Sequence, residues 1–225
     1  MPSQHSSDAT QQDARALAAA LGCDLRELPI AAVYGAFERA LQREFAGCQR
    51  DATEESLQAR IRATMLMALA NKFGWLLLAT GNKSEAAVGY FTLYGDGAGG
   101  LGVLQDVTKT MVYRLARWRN QRDGDHPVPD GILTRAPSAE LSPGQRDSDT
   151  LPTYDQLDDI IARHVEDGHS AQQLAAAGHD PATVTRVLGM MRAAEHKRHQ
   201  APPGIIVSAG ALGERRMPLT SRFGP

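Results

Sequence analysis

The chain has 225 residues, 42% of them hydrophobic and 22% charged, and its formal net charge at pH 7 is −2. This length and composition are ordinary for a globular protein with one sizeable core, and the balanced charge gives no electrostatic argument for nucleic-acid binding. A polar N-terminus, the lack of a long apolar run and two isolated cysteines argue against secretion, a membrane span and a zinc site, so a cytoplasmic protein is expected.

Helices and short apolar runs alternate over residues 1–120. Helices are predicted over 13–21, 34–45 and 51–72, and the last of these opens with an Asp51/Glu54 capping box. Apolar runs at 28–33 and 75–78 predict buried strands, and a further helix is predicted over 107–120. This alternation predicts an α/β fold with a parallel sheet.

The remainder of the chain divides into a loop and a helical part. Residues 121–154 are rich in Pro, Asp, Gly and Ser and predict a long functional loop. Amphipathic helices are predicted around 157–165 and after Asp180-Pro181, with a short helix from Ser170 between them. An apolar run at 205–207 suggests a last strand. The predicted division is therefore an α/β part over 1–120, a loop over 121–154 and a helical part over 155–225.

The polar cluster after the 75–78 run is the most informative part of the sequence. Thr80, Asn82, Lys83 and Glu85 bring a hydroxyl, an amide, an ammonium and a carboxylate within six residues. Ligands bind at the carboxyl ends of strands in open α/β sheets, so this set suits a phosphorylated ligand, with Glu85 as a ligand for Mg²⁺. Capping of the next helix explains Thr80, Asn82 and Glu85 equally well.

Two cationic positions are candidates for contacts with an anionic ligand. Arg60 and Arg62 lie two residues apart on the long helix and cannot share a face, so one of them at most reaches a site, and Arg60 is the candidate. Lys109 lies near a helix start, beside the positive end of the helix dipole. That position suggests a nearby anion such as a phosphate, and an exposed lysine is the alternative.

Two further patterns have weaker functional interpretations. Gly95-Asp96-Gly97-Ala98-Gly99-Gly100 formally matches GxGxxG, but a dinucleotide-binding turn needs a helix opening at the third glycine. The next predicted helix begins later, so a flexible loop is preferred and a nicotinamide-dependent oxidoreductase is the minor alternative. His196 and His199 share a helix face and could bind a metal, but no third ligand is nearby in the sequence.

Taken together, the blocks of this sequence resemble the synthetase domain of glutamine-dependent NAD synthetases. The resemblance extends over nearly the whole chain, and its blocks are residues 53–60 (TEESLQAR), 80–100, 106–110 (DVTKT), 135–141 (RAPSAEL), 195–198 (EHKR) and Arg215-Arg216. It implies a truncated Rossmann-like adenine-nucleotide α-hydrolase fold, with a parallel sheet, helices on both faces and a helical C-terminal region.

The family amidates deamido-NAD (nicotinic acid adenine dinucleotide) in NAD biosynthesis. ATP adenylates the nicotinate carboxylate with release of pyrophosphate, and ammonia derived from glutamine then displaces AMP. The resemblance therefore implies ATP and Mg²⁺ as cofactors, deamido-NAD and ammonia as substrates, and a homo-oligomer in the full-length proteins.

The resemblance also implies roles for individual residues. Thr80, Lys109 and Ser138 fall at ATP-contacting positions. Deamido-NAD positions are occupied by Ser56, Arg60, Glu85 and Lys197, and Glu85 is also the implied metal ligand. No acid–base residue is demanded, because pyrophosphate and AMP are good leaving groups. Ser56 departs from the family, which has an asparagine at this position, and its shorter side chain offers fewer hydrogen bonds.

A second departure is an absence from the printed sequence. No Ser-Gly-Gly occurs in it, so the family's Ser-Gly-Gly-x-Asp-Ser pyrophosphate loop is not present, and neither is the amidase domain. The chain is therefore interpreted as a C-terminal fragment that is expected to be inactive alone. The alternative is a non-catalytic module that completes an active site with a partner chain carrying the loop.

Overall fold

The computed structural model describes residues 1–212, so Arg215 and Arg216 lie outside the described part of the chain. Its helices and strands, in chain order, are α1 Asp8–Ala20, α2 Ala31–Leu41, α3 Ala52–Phe73, β1 Leu78–Ala79, α4 Lys83–Val88, β2 Leu101–Gly102, α5 Lys109–Arg122, α6 Asp130–Thr134, α7 Tyr154–Ile161, α8 Ala171–Ala176, α9 Pro181–Ala193 and α10 Glu195–Arg198. A 3₁₀ turn at Asp147–Asp149 precedes α7, and a π-helical turn at Ala162–Glu166 continues it. Over residues 1–212, no helix is both long and apolar enough to cross a bilayer.

The sheet is parallel, as the sequence predicts. Leu78 pairs with Leu101 and Ala79 with Gly102, and α4 lies in the crossover between the two strands. On the other side of β2, Gly102 forms a parallel bridge with Gly204. The chain leaves the carboxyl end of β1 directly into the polar cluster and α4, which is the position that the sequence predicts for a ligand site.

Capping boxes define the starts of α3 and α4. The Asp51 carboxylate accepts a hydrogen bond from the Thr53 amide at 2.7 Å, and Glu54 accepts one from the Asp51 amide at 2.8 Å. This confirms the predicted box and the predicted long helix. In α4, the Asn82 side chain accepts a hydrogen bond from the Glu85 amide at 3.0 Å, while the Glu85 carboxylate accepts one from the Asn82 amide at 3.1 Å.

The larger hydrophobic core lies beneath α4 and the C-terminal helices. Its fully buried members come from α4, α7, α8 and α9: Ala87, Leu157, Ile160, Ile161, Leu174 and Val187. A smaller cluster of Ile30, Tyr34 and Ile61 joins α2 to α3. Because α4 contributes to the larger core, the polar residues at its start are held at a fixed place on the surface of that core.

The strand predicted at 28–33 is absent, and the strand predicted at 75–78 is shorter than expected. Residues 28–33 form no strand: α2 begins at Ala31, and Ile30 alone is buried from this run. The Ile30 amide donates to Pro2 O at 3.0 Å, and Pro29 has no N–H to offer a strand ladder. The run at 75–78 reaches the strand only at Leu78, and Trp75 lies before the strand and is half exposed.

The last predicted strand is replaced by side-chain hydrogen bonding. Residues 205–207 are exposed, and the bridge to the sheet is made one residue earlier, at Gly204. The amides of Val207 and Ser208 both donate to the Asp106 carboxylate, at 2.8 and 2.7 Å, instead of to a neighbouring strand. The apolar run at 205–207 therefore predicted a strand, but hydrogen bonds to the buried Asp106 carboxylate take the place of strand pairing.

Gly89, which ends α4, is expected to be much less tolerant of a side chain than Gly168. Both have positive φ, 71° and 73°, but a Cβ at Gly89 would lie 2.7 Å from the Ala194 Cβ, whereas one at Gly168 meets nothing within 4 Å. Both Gly→Ala changes introduce the left-handed backbone penalty, and Gly89→Ala adds about 1–3 kcal/mol of overpacking. Urea unfolding of the two variants measures the difference. Equal losses would contradict the close packing of Gly89 against Ala194, which joins α9 to α10, and Ala194→Gly should restore part of the stability of Gly89→Ala.

Candidate functional site

A cavity of about 950 Å³ opens at the end of β1, between α1, α3 and the residues that follow α4. This volume is at the upper end of the range for small-molecule sites. Six of the seven site residues proposed from the sequence line it: Ser56, Thr80, Glu85, Lys109, Ser138 and Lys197. They come from segments up to 141 residues apart, so the fold gathers them at one place.

Arg60 is the exception, because it does not line the cavity. Its side chain is exposed and its Nε donates to Leu93 O at 3.2 Å. Arg62 lines the cavity instead, and its Nε donates to Met1 O at 2.9 Å. Burial, the largest effect, lowers the pKa of the Arg62 guanidinium. Side chains two positions apart on a helix point in directions about 200° apart. The structure brings Arg62, and not Arg60, to the cavity wall.

Glu85 and Lys109 form an ion pair in the cavity wall. Lys109 Nζ lies 3.0 Å from Glu85 Oε1, and each side chain is about one-fifth exposed. Burial, the largest single effect, lowers the pKa of Lys109, but the Glu85 charge and hydrogen bond, with smaller contributions from Asp147 and Tyr113, raise that pKa above its ordinary value. The other Glu85 oxygen accepts the hydrogen bond of the α4 capping box. Glu85 therefore both caps α4 and lines the cavity.

A buried carboxylate fixes the start of α5, where Lys109 lies. Asp158 accepts hydrogen bonds from Thr110 N at 2.8 Å and Thr110 Oγ1 at 2.7 Å, and it also accepts one from Ser84 Oγ. Ser84 Oγ in turn accepts the Lys109 amide at 2.8 Å. An anion at a helix N-terminus is favourable, so Asp158 and Glu85 offset the unfavourable position of Lys109. The helix start therefore needs no bound phosphate to explain it.

Lys197 enters the cavity from α10 and binds the chain that leaves α4. Its Nζ donates to Gly89 O and Phe91 O, both at 2.7 Å, and lies 5.3 Å from the centre of the Phe91 ring. Burial lowers the pKa of this ammonium. The neighbouring Arg198 donates to Ala87 O at 2.5 Å and so holds α10 against the end of α4.

Ser138 lies in a loop that is fastened to α3. Its hydroxyl donates to Gln145 O at 2.6 Å and accepts from the Glu140 amide at 3.0 Å. Gln58 of α3 donates to Leu141 O at 2.8 Å, which ties the loop to the helix that carries Ser56. Thr80 is exposed at the cavity edge, and Ser56 is partly buried in its wall.

Asp147 is a cavity residue to which sequence reasoning gave no role. It is 5% exposed and accepts hydrogen bonds from Tyr154 Oη at 2.7 Å and Tyr90 Oη at 3.3 Å. Burial first, and then the charge and hydrogen bond of Asp147, raise the pKa of both phenols. A lone aspartate in a segment rich in Pro and Gly carries no local signal of burial, so only the tertiary fold reveals it.

The donor set of the site suits a Mg²⁺ ion that is held mainly by phosphates. Within residues 1–212, no three His, Cys, Asp or Glu side chains converge closely enough to hold a metal ion together. Glu85 offers one hard carboxylate at the cavity wall, and Mg²⁺ commonly binds one or two carboxylates while bridging the phosphates of its substrate. The His pair is engaged elsewhere, with His196 Nδ1 2.9 Å from Ala193 O and His199 Nε2 3.3 Å from Glu195 Oε1.

The glycines of residues 95–100 serve close packing. A Cβ at Gly97 would lie 2.6 Å from the Phe91 ring, and one at Gly99 would lie 2.8 Å from Ala79 N. The next helix begins only at Lys109, so the strand–turn–helix of a dinucleotide-binding motif does not form here. The loop interpretation therefore holds, although the loop is packed against β1.

Comparison with known proteins gives a consistent result. The NAD synthase family model matches residues 1–201. The glutamine-dependent NAD(+) synthetase of Thermotoga maritima is 48% identical over 99% of this chain and 39% of its own length. The chain spans about 40% of the length of the curated relatives it matches.

Solved structures agree with this assignment. A glutamine-dependent NAD⁺ synthetase from Acinetobacter baumannii, in complex with ADP, is 38% identical with a TM-score of 0.60, and the match covers 97% of this chain and 39% of that one. An NMN synthetase from Francisella tularensis is 29% identical with a TM-score of 0.72, over 88% of this chain and 73% of that one. The predicted adenine-nucleotide α-hydrolase fold is confirmed.

The phenols beside Asp147 and the Lys109 ammonium predict a loss of stability in alkali. Their folded-state pKa values are raised above the ordinary values of 10.0 for tyrosine and 10.5 for lysine. The stability from these protonated groups is fully present below those ordinary values and is lost as pH rises through the folded-state pKa values, by up to about 1.4 kcal/mol per pH unit for each group. Urea unfolding from pH 8 to 11 measures the decline. Tyr154→Phe should make it shallower and the exposed control Tyr94→Phe should not, and identical profiles for the two variants would contradict the assignment.

Proposed function

Because the chain belongs to the NAD synthase family, we propose that its cavity takes part in the ATP-dependent amidation of deamido-NAD to NAD. The observation that carries the proposal is the Glu85–Lys109 ion pair, which lies in a 950 Å³ cavity that Thr80, Ser138 and Lys197 also line. This cavity combines cations, hydroxyls and carboxylates, and the Glu85 carboxylate is suited to Mg²⁺, as a phosphate-bearing substrate requires.

The reaction has two balanced steps. In the first, an oxygen of the nicotinate carboxylate attacks the α-phosphorus of ATP, the bond to the bridging oxygen breaks, and pyrophosphate leaves. In the second, ammonia attacks the acyl carbon, the bond to AMP breaks, and the nitrogen loses a proton as the amide forms. Negative charge builds on phosphate oxygens in the first step, and a fixed ammonium stabilises such charge best where water is excluded.

The ion pair suggests how Lys109 and Glu85 divide this work. With Mg-ATP bound, Lys109 would turn from Glu85 to the phosphates, and Glu85 would face the metal. Mg²⁺ itself supplies charge neutralisation on the phosphate oxygens. Both side chains are already one-fifth exposed at the cavity wall, so the exchange of partners needs no burial of new charge.

The other residues keep the roles that the family resemblance implies, as proposals. Thr80 and Ser138 would contact ATP, with the Ser138 hydroxyl held by Gln145 O until a ligand competes for it. Ser56, Glu85 and Lys197, which line the cavity, would contact deamido-NAD. Arg60 lies outside the cavity wall and would have to leave Leu93 O to reach the same ligand. Ammonia derived from glutamine, a cytoplasmic location and a homo-oligomer belong to the same proposal for the longer proteins.

The exposed edge of β1 favours a second candidate, a module that completes the site with a partner chain. Leu76 and Leu78 are 64% and 46% exposed beside a parallel pair of strands, although parallel sheets are normally covered on both faces. A polypeptide that adds a strand here and carries a pyrophosphate loop would supply the phosphate contacts that the printed sequence does not contain.

Binding measurements test the site directly. Isothermal titration calorimetry with ATP and Mg²⁺, and separately with deamido-NAD, is expected to show binding to the wild-type chain. Lys109→Met should weaken Mg-ATP binding about 10- to 100-fold, the usual loss for one charge-assisted hydrogen bond. Lys72→Met, which removes an equal charge from the exposed end of α3, is the matched control.

The outcomes separate the candidates. Equal affinities for the Lys109 and Lys72 variants would contradict the site. Turnover of deamido-NAD, ATP and ammonia by the chain alone would favour the enzyme over the complementing module, and turnover only with a loop-bearing partner would favour the module. Tight binding of NADH with none of Mg-ATP would instead favour the oxidoreductase.

A further inference from the structure

The segment of residues 203–210, here called the strap, is fastened across the elements that support α4. Pro203 O accepts the Gly102 amide at 2.9 Å, which adds the strap to the edge of β2. Further along, Ser208 donates its amide and its hydroxyl to the Asp106 carboxylate, at 2.7 and 2.8 Å. Asp106 is 7% exposed, so the strap is held by a buried acceptor and not by surface contacts.

Lys83 is the point at which the strap meets α4. This lysine is 1% exposed, and its Nζ lies 3.1 Å from Asp106 Oδ1 and 2.8 Å from Glu166 Oε1. The same ammonium donates to Ser208 Oγ at 2.7 Å and to Gly210 O at 3.1 Å. One buried cation thus joins α4, the loop after β2, the π-helical turn and two points of the strap.

These contacts matter because α4 is too short to hold its own position. It has six residues, and helices of that length are not stable without tertiary contacts. Its first residues, Lys83 and Ser84, are fixed by the buried carboxylates of Asp106 and Asp158, and Glu85 follows them directly. Any shift at Lys83 would therefore move the carboxylate that pairs with Lys109.

We propose that Lys83 is a positioning residue, which uses the strap to hold the start of α4 and so places Glu85 for its contact with Lys109 and the metal-bound ligand. Its effect on ligand binding rests on the proposed function, whereas its effect on α4 does not. A buried ion pair is weak evidence for stability, and fixing one arrangement is a better-supported role for such a pair.

Hydrogen exchange measured by mass spectrometry, together with Mg-ATP titration, tests this role. Ser208→Ala removes a strap contact and leaves the Lys83–Asp106 pair, and Lys83→Met removes the ammonium. Both variants should raise exchange roughly tenfold in residues 82–90 and in the strap while α9 stays protected, and both should weaken Mg-ATP binding roughly tenfold. Ile206→Ser, a change at an exposed strap side chain, should alter neither quantity in α4 or at the ligand.

The readouts keep this inference distinct from the proposed function. If the strap exchanges faster in Ser208→Ala while residues 82–90 and the Mg-ATP affinity stay at wild-type values, Lys83 fastens the strap without positioning Glu85, and the inference is overturned. If wild-type chain binds no Mg-ATP, the proposed function fails for this chain, and exchange in residues 82–90 still decides the role of Lys83. If Lys83→Met does not fold, Ser208→Ala decides alone.

Discussion

The rest of the structure depends on one constraint, which is that its central polar residues are carried by a helix of six residues. Such a helix has few hydrogen bonds of its own, so its place is set from outside. Ala87 and Val88 anchor it in the core, Ser84 bonds to Asp158, and Gly89 lets α10 approach closely. The site inherits its geometry from these contacts.

The features that depend on short stretches of sequence, above all the capping boxes, were predicted correctly. The capping box at Asp51 and Glu54 follows from spacing within a few residues, and the periodic apolar pattern after it predicts the long helix α3. The alternation of elements along the chain predicts the parallel sheet, and the structure has all three features. The polar cluster at the end of β1 was also predicted to cap a helix, and the Asn82–Glu85 box does so. The two capping boxes need no information about distant parts of the chain.

Tertiary contacts decided what the sequence could not show. Ile30 and residues 205–207 have strand-like character, but an amide bonded to Pro2 O and two amides bonded to Asp106 remove them from any ladder. The burial of Asp147 depends on tyrosines brought from α7 and from the chain after α4. Lys83 likewise meets partners that lie 23 to 127 positions away.

The shared anchoring of α4 and the strap has a thermodynamic corollary. Two events linked through one structural element influence each other by the same factor in both directions. If an ordered α4 favours ligand binding, then ligand binding must stabilise the packing of residues 203–210 by the same coupling free energy. Occupancy of the cavity would thus be communicated to the far end of the described chain without any direct contact between the two.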